Sequence, residues 1–127
     1  MNQCEQQNSD VMMFRAKDHE ARYTDTLSKM SSTDSRHTSC AYLIALVEAP
    51  VEDCFDLEKD TIKTDMLEHG WINETSRRVL TLAMNLWDHA IPADVSEVFG
   101  DTDDLLAEFM YYAIQIRFGY VPSFLCK

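Results

Sequence analysis

The chain has 127 residues, 46% of them hydrophobic and 26% charged, which is the composition of one ordinary globular domain rather than a disordered segment. Twenty-two acidic residues against eleven basic ones leave a formal charge of −11, which disfavours direct binding to nucleic acid, because that affinity comes from Lys and Arg displacing counterions from phosphates. The opening "MNQCEQQNSDVMMF" lacks a basic head followed by an apolar run, and the longest apolar stretch, Cys40 to Val47, is too short to span a bilayer, so a cytoplasmic protein with reduced cysteines and no membrane partner is expected.

Residues 1–10 are polar and aperiodic and read as a flexible arm ahead of a single helical domain over 11–127. A first helix is expected from about Lys17 to Met30, because His19, Tyr23, Leu27 and Met30 recur on one helical face. Asp34 or Ser35 is placed to cap a second helix, which must stop before Pro50. From Cys40 onward this helix is apolar nearly all round, so it is expected at the centre of the fold. Residues 51–71 are the least regular part. "VEDCFDL" predicts a short helical segment packing Val51, Cys54 and Phe55, "EKDTIKTD" an exposed connection, and Gly70 a helix terminator after Met66 and Leu67.

Asn73 or Thr75 caps the next expected helix, in which Val79, Leu82, Ala83 and Leu86 form the core stripe, widened by Leu80, Met84 and Trp87. Arg77, Arg78, Thr81, Asn85 and Asp88 fall on its polar side. "ADVSEVF" predicts a short helix closed at Gly100. Asp101, Asp103 and Asp104 then crowd the start of a last helix, where negative charge complements the helix dipole. That helix carries Leu105, Leu106, Phe109, Met110, Ala113 and Ile114 on a broad apolar face and ends near Gly119. Alternating strand patterns and hairpin turns are missing, and the expected fold is all-α, a single-domain bundle of about five or six helices with Cys40–Val47 and Leu105–Ile116 at its centre.

Chemistry-bearing motifs are scarce. His37 and Cys40 share a helix face, but no second ligand pair follows, so no metal is expected and His37 reads as a surface histidine near a cap. Asp101, Asp103 and Asp104 lack the glycine and distal glutamate of a calcium loop. With three glycines and no nucleophile elbow, neither a phosphate-cradling loop nor a covalent catalyst is indicated, and no cofactor is expected. The feature that remains is the clustering of acids. Residues 48–68 hold eight acids and two lysines, and residues 94–108 hold six acids and no base.

Carboxylates spaced along helices can imitate a row of phosphates and fill a basic groove on another protein. The candidate partner-binding residues are Glu52, Asp53, Asp56, Glu58, Asp60, Asp65 and Glu68 in the first cluster, and Asp94, Glu97, Asp101, Asp103, Asp104 and Glu108 in the second.

Taken in order, "MFRAKDHEARY", "SCAYLIALVEAP", "SRRVLTLAMNLWDH" and "AIQIRFGY" resemble a family of small uncharacterised proteins encoded by Gram-positive bacteria and their phages or other mobile elements, over about Met12 to Tyr120. The chain departs from that family at Leu46-Val47, where members tend to have Gly-Asn, and at Asp88-His89, where they have Asn-Gly; both departures lie at helix ends. The resemblance implies a mobile-element setting and brings no active site with it. Together with the charge distribution it gives the leading expectation: a non-enzymatic binding protein that blocks the basic nucleic-acid groove of a bacterial defence nuclease, in the manner of an anti-CRISPR inhibitor. The alternatives are a homodimeric structural or regulatory module, closed by Phe118, Tyr120, Phe124 and Leu125, and a small enzyme with a polar pocket around His69, His89 or Asn85.

Overall fold

The apolar-all-round segment predicted at the centre is there. In a computed structural model that describes residues 12–119, helix α1 spans Lys17–Ser28 and α2 spans Ser35–Leu46, and every α2 residue from Ser39 to Leu46 is buried. Helix α2 begins where Asp34 accepts the backbone N–H of His37, as the sequence predicts. A single helical turn, α3 (Val51–Cys54), follows Pro50. Strands β1 (Phe55–Asp56) and β2 (Thr61–Ile62) come next, then a 3-10 turn over Met66–Glu68. Helix α4 spans Glu74–Trp87, α5 Val95–Phe99 and α6 Asp104–Phe118. The mainly helical architecture is as expected, with six helices among the described residues.

Helices α2 and α4 divide the interior between two apolar clusters. On one side Tyr42, Leu43 and Leu46 of α2 and Val79, Leu82 and Leu86 of α4 pack with Tyr23 of α1, Val98 of α5, and Leu106, Phe109 and Met110 of α6. On the other, Cys40 and Ile44 of α2 and Leu80, Met84 and Trp87 of α4 pack with Val51, Cys54, Phe55, Ile62 and Met66. All seven apolar residues predicted for the α4 core are buried. The α4 start is a reciprocal cap: the Asn73 side chain accepts from the Ser76 N–H while the Ser76 hydroxyl accepts from the Asn73 N–H, both at 2.8 Å.

Three expectations are corrected. Residues 55–62 are not helix and exposed loop but a small antiparallel hairpin, Phe55 opposite Ile62 and Asp56 opposite Thr61, with both Phe55 and Ile62 buried. The hairpin lacks a glycine signal because acids close its turn. The Asp56 carboxylate accepts the N–H groups of Glu58 and Lys59, and Asp60 takes the left-handed conformation at φ 57°. Leu105 is 55% exposed rather than part of the apolar face, and α6 buries only one side, so it flanks α2 instead of sharing the centre with it. Gly70 has no left-handed backbone; Gly119, at φ 65°, is the glycine that ends a helix, as predicted for α6. The expected arm at residues 1–10 lies outside the described residues.

Candidate functional site: an acidic surface and its internal partners

Each predicted acid has to be sorted by what its own carboxylate touches. In the first cluster four of the seven have internal partners. Glu52 lies 3.5 Å from Lys29 Nζ, and Asp53 accepts the Trp71 indole N–H at 2.9 Å. Asp56 closes the hairpin turn, and Asp60 meets His37. Glu58, Asp65 and Glu68 make no ion pair or side-chain hydrogen bond among the described residues, and all three are exposed. In the second cluster Asp94 caps α5 through Ser96 and Glu97, Asp103 caps α6 through Leu106, and Asp101 lies 3.5 Å from the Arg78 guanidinium. The carboxylates of Glu97, Asp104 and Glu108 have no such partner among the described residues and face solvent.

The two clusters do not merge into one site-forming segment. Residues 52–68 pack on the Trp87 side of the α2/α4 partition, whereas α5 and α6 pack on the Tyr42 side.

Three of the protein's arginines are committed to backbone carbonyls. Arg22 Nε donates to the Ala45 carbonyl at the end of α2, while Arg36 and Arg117 donate to the Trp87 and Leu86 carbonyls at the end of α4. Those carbonyls lie at the negative ends of helix dipoles, so a guanidinium there adds both opposite charge and a hydrogen bond. Arg36 also lies over the Trp87 ring, 4.2 Å from its centre. From Val79 to Ile116 the chain has seven acids and no Lys or Arg. The carboxylate surplus on the α5–α6 side therefore meets little internal neutralisation.

Arg78 is the exception. Its guanidinium lies 2.9 Å from Glu74 and 3.5 Å from Asp101 and donates to the Glu97 carbonyl, tying α4 to α5 and the loop beyond. It forms one wall of a cleft of about 500 Å³ that is also lined by Arg77, Thr81, Ser96 and Val98 and by the acids Glu74, Glu97 and Asp101. Arg77 is exposed at this cleft and makes no ion pair among the described residues.

A polar cluster joins one predicted acid, Asp60, to His37 and Asp34, which were not predicted as site residues. His37, expected at the surface, is 4% exposed; Nδ1 donates to Asp34 and Nε2 to Asp60, each at 2.7 Å. Only imidazolium can donate from both nitrogens, so the geometry is that of a cation clamped between two carboxylates. Burial works against this charge, but the hydrogen bonds that the ring donates to Asp34 and Asp60, with the charges of those carboxylates, outweigh it and raise the His37 pKa above its ordinary value. Asp34, which accepts the His37 backbone N–H and then its ring, is lowered to about 2, and Asp60 is lowered by its bond to the same ring. Trp87 meets the imidazole edge-on at 4.8 Å. The cluster pins the hairpin turn to the start of α2. It holds His37 away from any metal role with Cys40, whose thiol burial drives far up from its ordinary value.

His19 shows the opposite chemistry. It is fully buried, accepts the Arg15 N–H at Nδ1 and donates from Nε2 to the Tyr42 carbonyl, so it is the neutral tautomer; burial lowers its pKa. Phe14, Tyr42 and Phe109 surround it at 4.6 to 6.4 Å. Among the residues named for a polar pocket, the Asn85 amide donates to the Ile91 carbonyl, His69 lies parallel to Trp71, and His89 is exposed; none of the three lines the Arg78 cleft.

Sequence reading also missed where the aromatic residues of α6 go. Asp104, Glu108, Tyr111, Gln115 and Phe118 recur at four, three, four and three, one outward stripe of the helix. Tyr111 is 53% and Phe118 62% exposed, and Phe99 of α5 stacks on Tyr111 with ring centres 4.7 Å apart. The spacing was legible; the side of the helix that meets the core was not. Of the residues proposed to close a dimer, Phe118 is thus exposed, and Tyr120, Phe124 and Leu125 lie outside the described residues.

Among the described residues no helix is long and apolar enough to cross a membrane. Compared with known proteins, residues 9–123 match the model of DUF6075, a family of unknown function, and the chain belongs to that family. No curated protein and no solved structure matches it.

Proposed function

We propose that this member of DUF6075 is a non-enzymatic binding protein that docks the carboxylates of its α5–α6 side on a basic surface of another protein. In the Gram-positive phage or mobile-element setting that the sequence resemblance implies, that surface is the nucleic-acid groove of a bacterial defence nuclease, and the outcome is inhibition of the anti-CRISPR kind in the host cytoplasm. One observation carries the reading: Glu97, Asp104 and Glu108 are exposed without an internal partner, in a stretch from Val79 to Ile116 that has no Lys or Arg. Attraction between unpaired carboxylates and Lys or Arg on another molecule steers the encounter, and their pairing at contact adds specificity. The acids that cap α5 and α6 or pair with Arg78 hold this surface in shape rather than offering free charge.

The test is capture of candidate nucleases by the wild-type protein and by the variant Glu97→Gln/Asp104→Asn/Glu108→Gln, which leaves every cap and the Arg78 pair in place. Capture by the wild type is expected to weaken steeply with salt, and the variant to bind about tenfold or more weakly, since each lost charge contact at a partner surface contributes on the order of 1 kcal/mol. Undiminished capture by the triple variant removes the electrostatic mechanism. The homodimeric reading is favoured by one observation, the 62% exposed Phe118 at the end of α6. A strictly monomeric species in light scattering at high protein concentration eliminates it.

A further inference from the structure

The outward stripe of α6 is divided along its length. Asp104 and Glu108 occupy its first half, Tyr111 and Phe118 its second, with Gln115 between the rings. From Asp104 to Phe118 the stripe runs about 21 Å, the length of a four-turn helix. Phe99 widens the aromatic half by stacking on Tyr111, and Val95, one turn earlier on α5, is 73% exposed. Single exposed apolar residues are ordinary on protein surfaces. Here Phe99 stacks on Tyr111, and Tyr111 and Phe118 share one stripe of α6 with the unpaired carboxylates of Asp104 and Glu108. Among the described residues the cation at the aromatic end is Arg117, which lies over the Phe118 ring at 4.9 Å and is anchored by its bond to the Leu86 carbonyl.

We infer that this α5–α6 face is the docking surface for a basic amphipathic helix of the partner protein, whose Lys or Arg residues meet Asp104 and Glu108 and whose apolar side covers Tyr111 and Phe118. The inference rests on the basic-partner reading above and adds the partner's shape and its apolar anchors. Charge complementarity selects the occupant. A second copy of this chain would bring another −11 to the face, and an anionic lipid surface would meet the same carboxylates. A helix fits because its side chains at i, i+3, i+4 and i+7 match the four-three repeat of the α6 stripe. Aromatic rings already held by a stack lose little conformational freedom on being covered, which suits Tyr111 to an anchoring role.

The probe is a fluorescently labelled Lys/Leu peptide of four helical turns with its leucines on one face, compared with a scrambled peptide of identical composition. The full-length protein is expected to bind the amphipathic peptide about tenfold more tightly than the scrambled one, and Tyr111→Ala/Phe118→Ala to erase that ratio while retaining salt-sensitive binding to both. Melting curves of the double variant confirm folding, and neither side chain belongs to the core. Equal affinity for the two peptides in the wild type overturns the docking surface and leaves the basic-partner reading standing; binding to neither sinks both.

Other occupants give distinct results, each of which overturns the proposal. They are cosedimentation with phosphatidylserine vesicles and a concentration-dependent dimer that Tyr111→Ala/Phe118→Ala abolishes.

Discussion

His37 and His19 are both buried, yet they hold opposite charge states because their hydrogen-bond partners differ. His37 faces two carboxylates and is a cation, whereas His19 faces a backbone donor and a carbonyl and is neutral. Their linkage to pH therefore has opposite sign. The raised His37 pKa stabilises the fold fully below its ordinary value of 6.5 and fades as pH climbs through the raised value, while the lowered pKa values of Asp34 and Asp60 stabilise it above 3.8 and fade as pH falls. The lowered His19 pKa contributes above 6.5 and is lost as pH falls below it, so it blunts the His37 effect in the intact protein. Comparing wild type with His37→Gln isolates the clamp. The difference in Tm is expected to be widest between pH 3.8 and 6.5 and to narrow on either side. A gap that stays constant from about pH 4 to about pH 9 would mean that His37 is neutral in the fold.

At the scale of elements, helices were legible where their ends carry local signals. Asp34 and Asn73, both cap candidates from the sequence, cap α2 and α4 through amides three residues ahead, and Asp94 and Asp103, not named as caps, close the starts of α5 and α6 in the same way. The hairpin was illegible because its turn uses no glycine and its strands are two residues each; its buried Phe55 and Ile62 fix it to the core, and Asp60 accepts a bond from a histidine twenty-three residues away. Asp60 has two duties, the left-handed backbone and the carboxylate for His37, and they can be separated. Asp60→Asn keeps the backbone preference and loses the charge. Asp60→Ala loses both, adding a strain of about 1 kcal/mol. Urea denaturation should rank Asp60→Ala below Asp60→Asn, both below wild type. Equal stability of the two variants would show that the left-handed turn carries no strain.

For the whole molecule the decisive fact is that cations and anions do not simply cancel. Arg22, Arg36 and Arg117 serve helix-end carbonyls, and the ion pairs that do form are mostly exposed at the carboxylate, such as Glu48 at 74% and Asp101 at 90%, where pairing contributes little. The fold is thus held by its two apolar clusters against a net self-repulsion. Sodium chloride should raise Tm over the range in which the screening length falls from about 10 Å at 0.1 M toward about 3 Å at 1 M. A fall in Tm over that range would indicate a protein stabilised by its salt bridges instead.

The order of the helices, the caps of α2 and α4, the burial of α2 and the apolar stripe of α4 followed from the sequence by itself, because each depends on residues within a turn or two of one another, where periodicity and side-chain chemistry act locally. Tertiary structure alone decided which acids serve the fold and which face outward, why His37 is buried and charged, and that Tyr111 lies in solvent while Phe109, two residues earlier, lies in the core. Those outcomes depend on which elements meet across twenty or more residues, and a carboxylate or a ring carries no mark of its distant neighbour until the chain has packed.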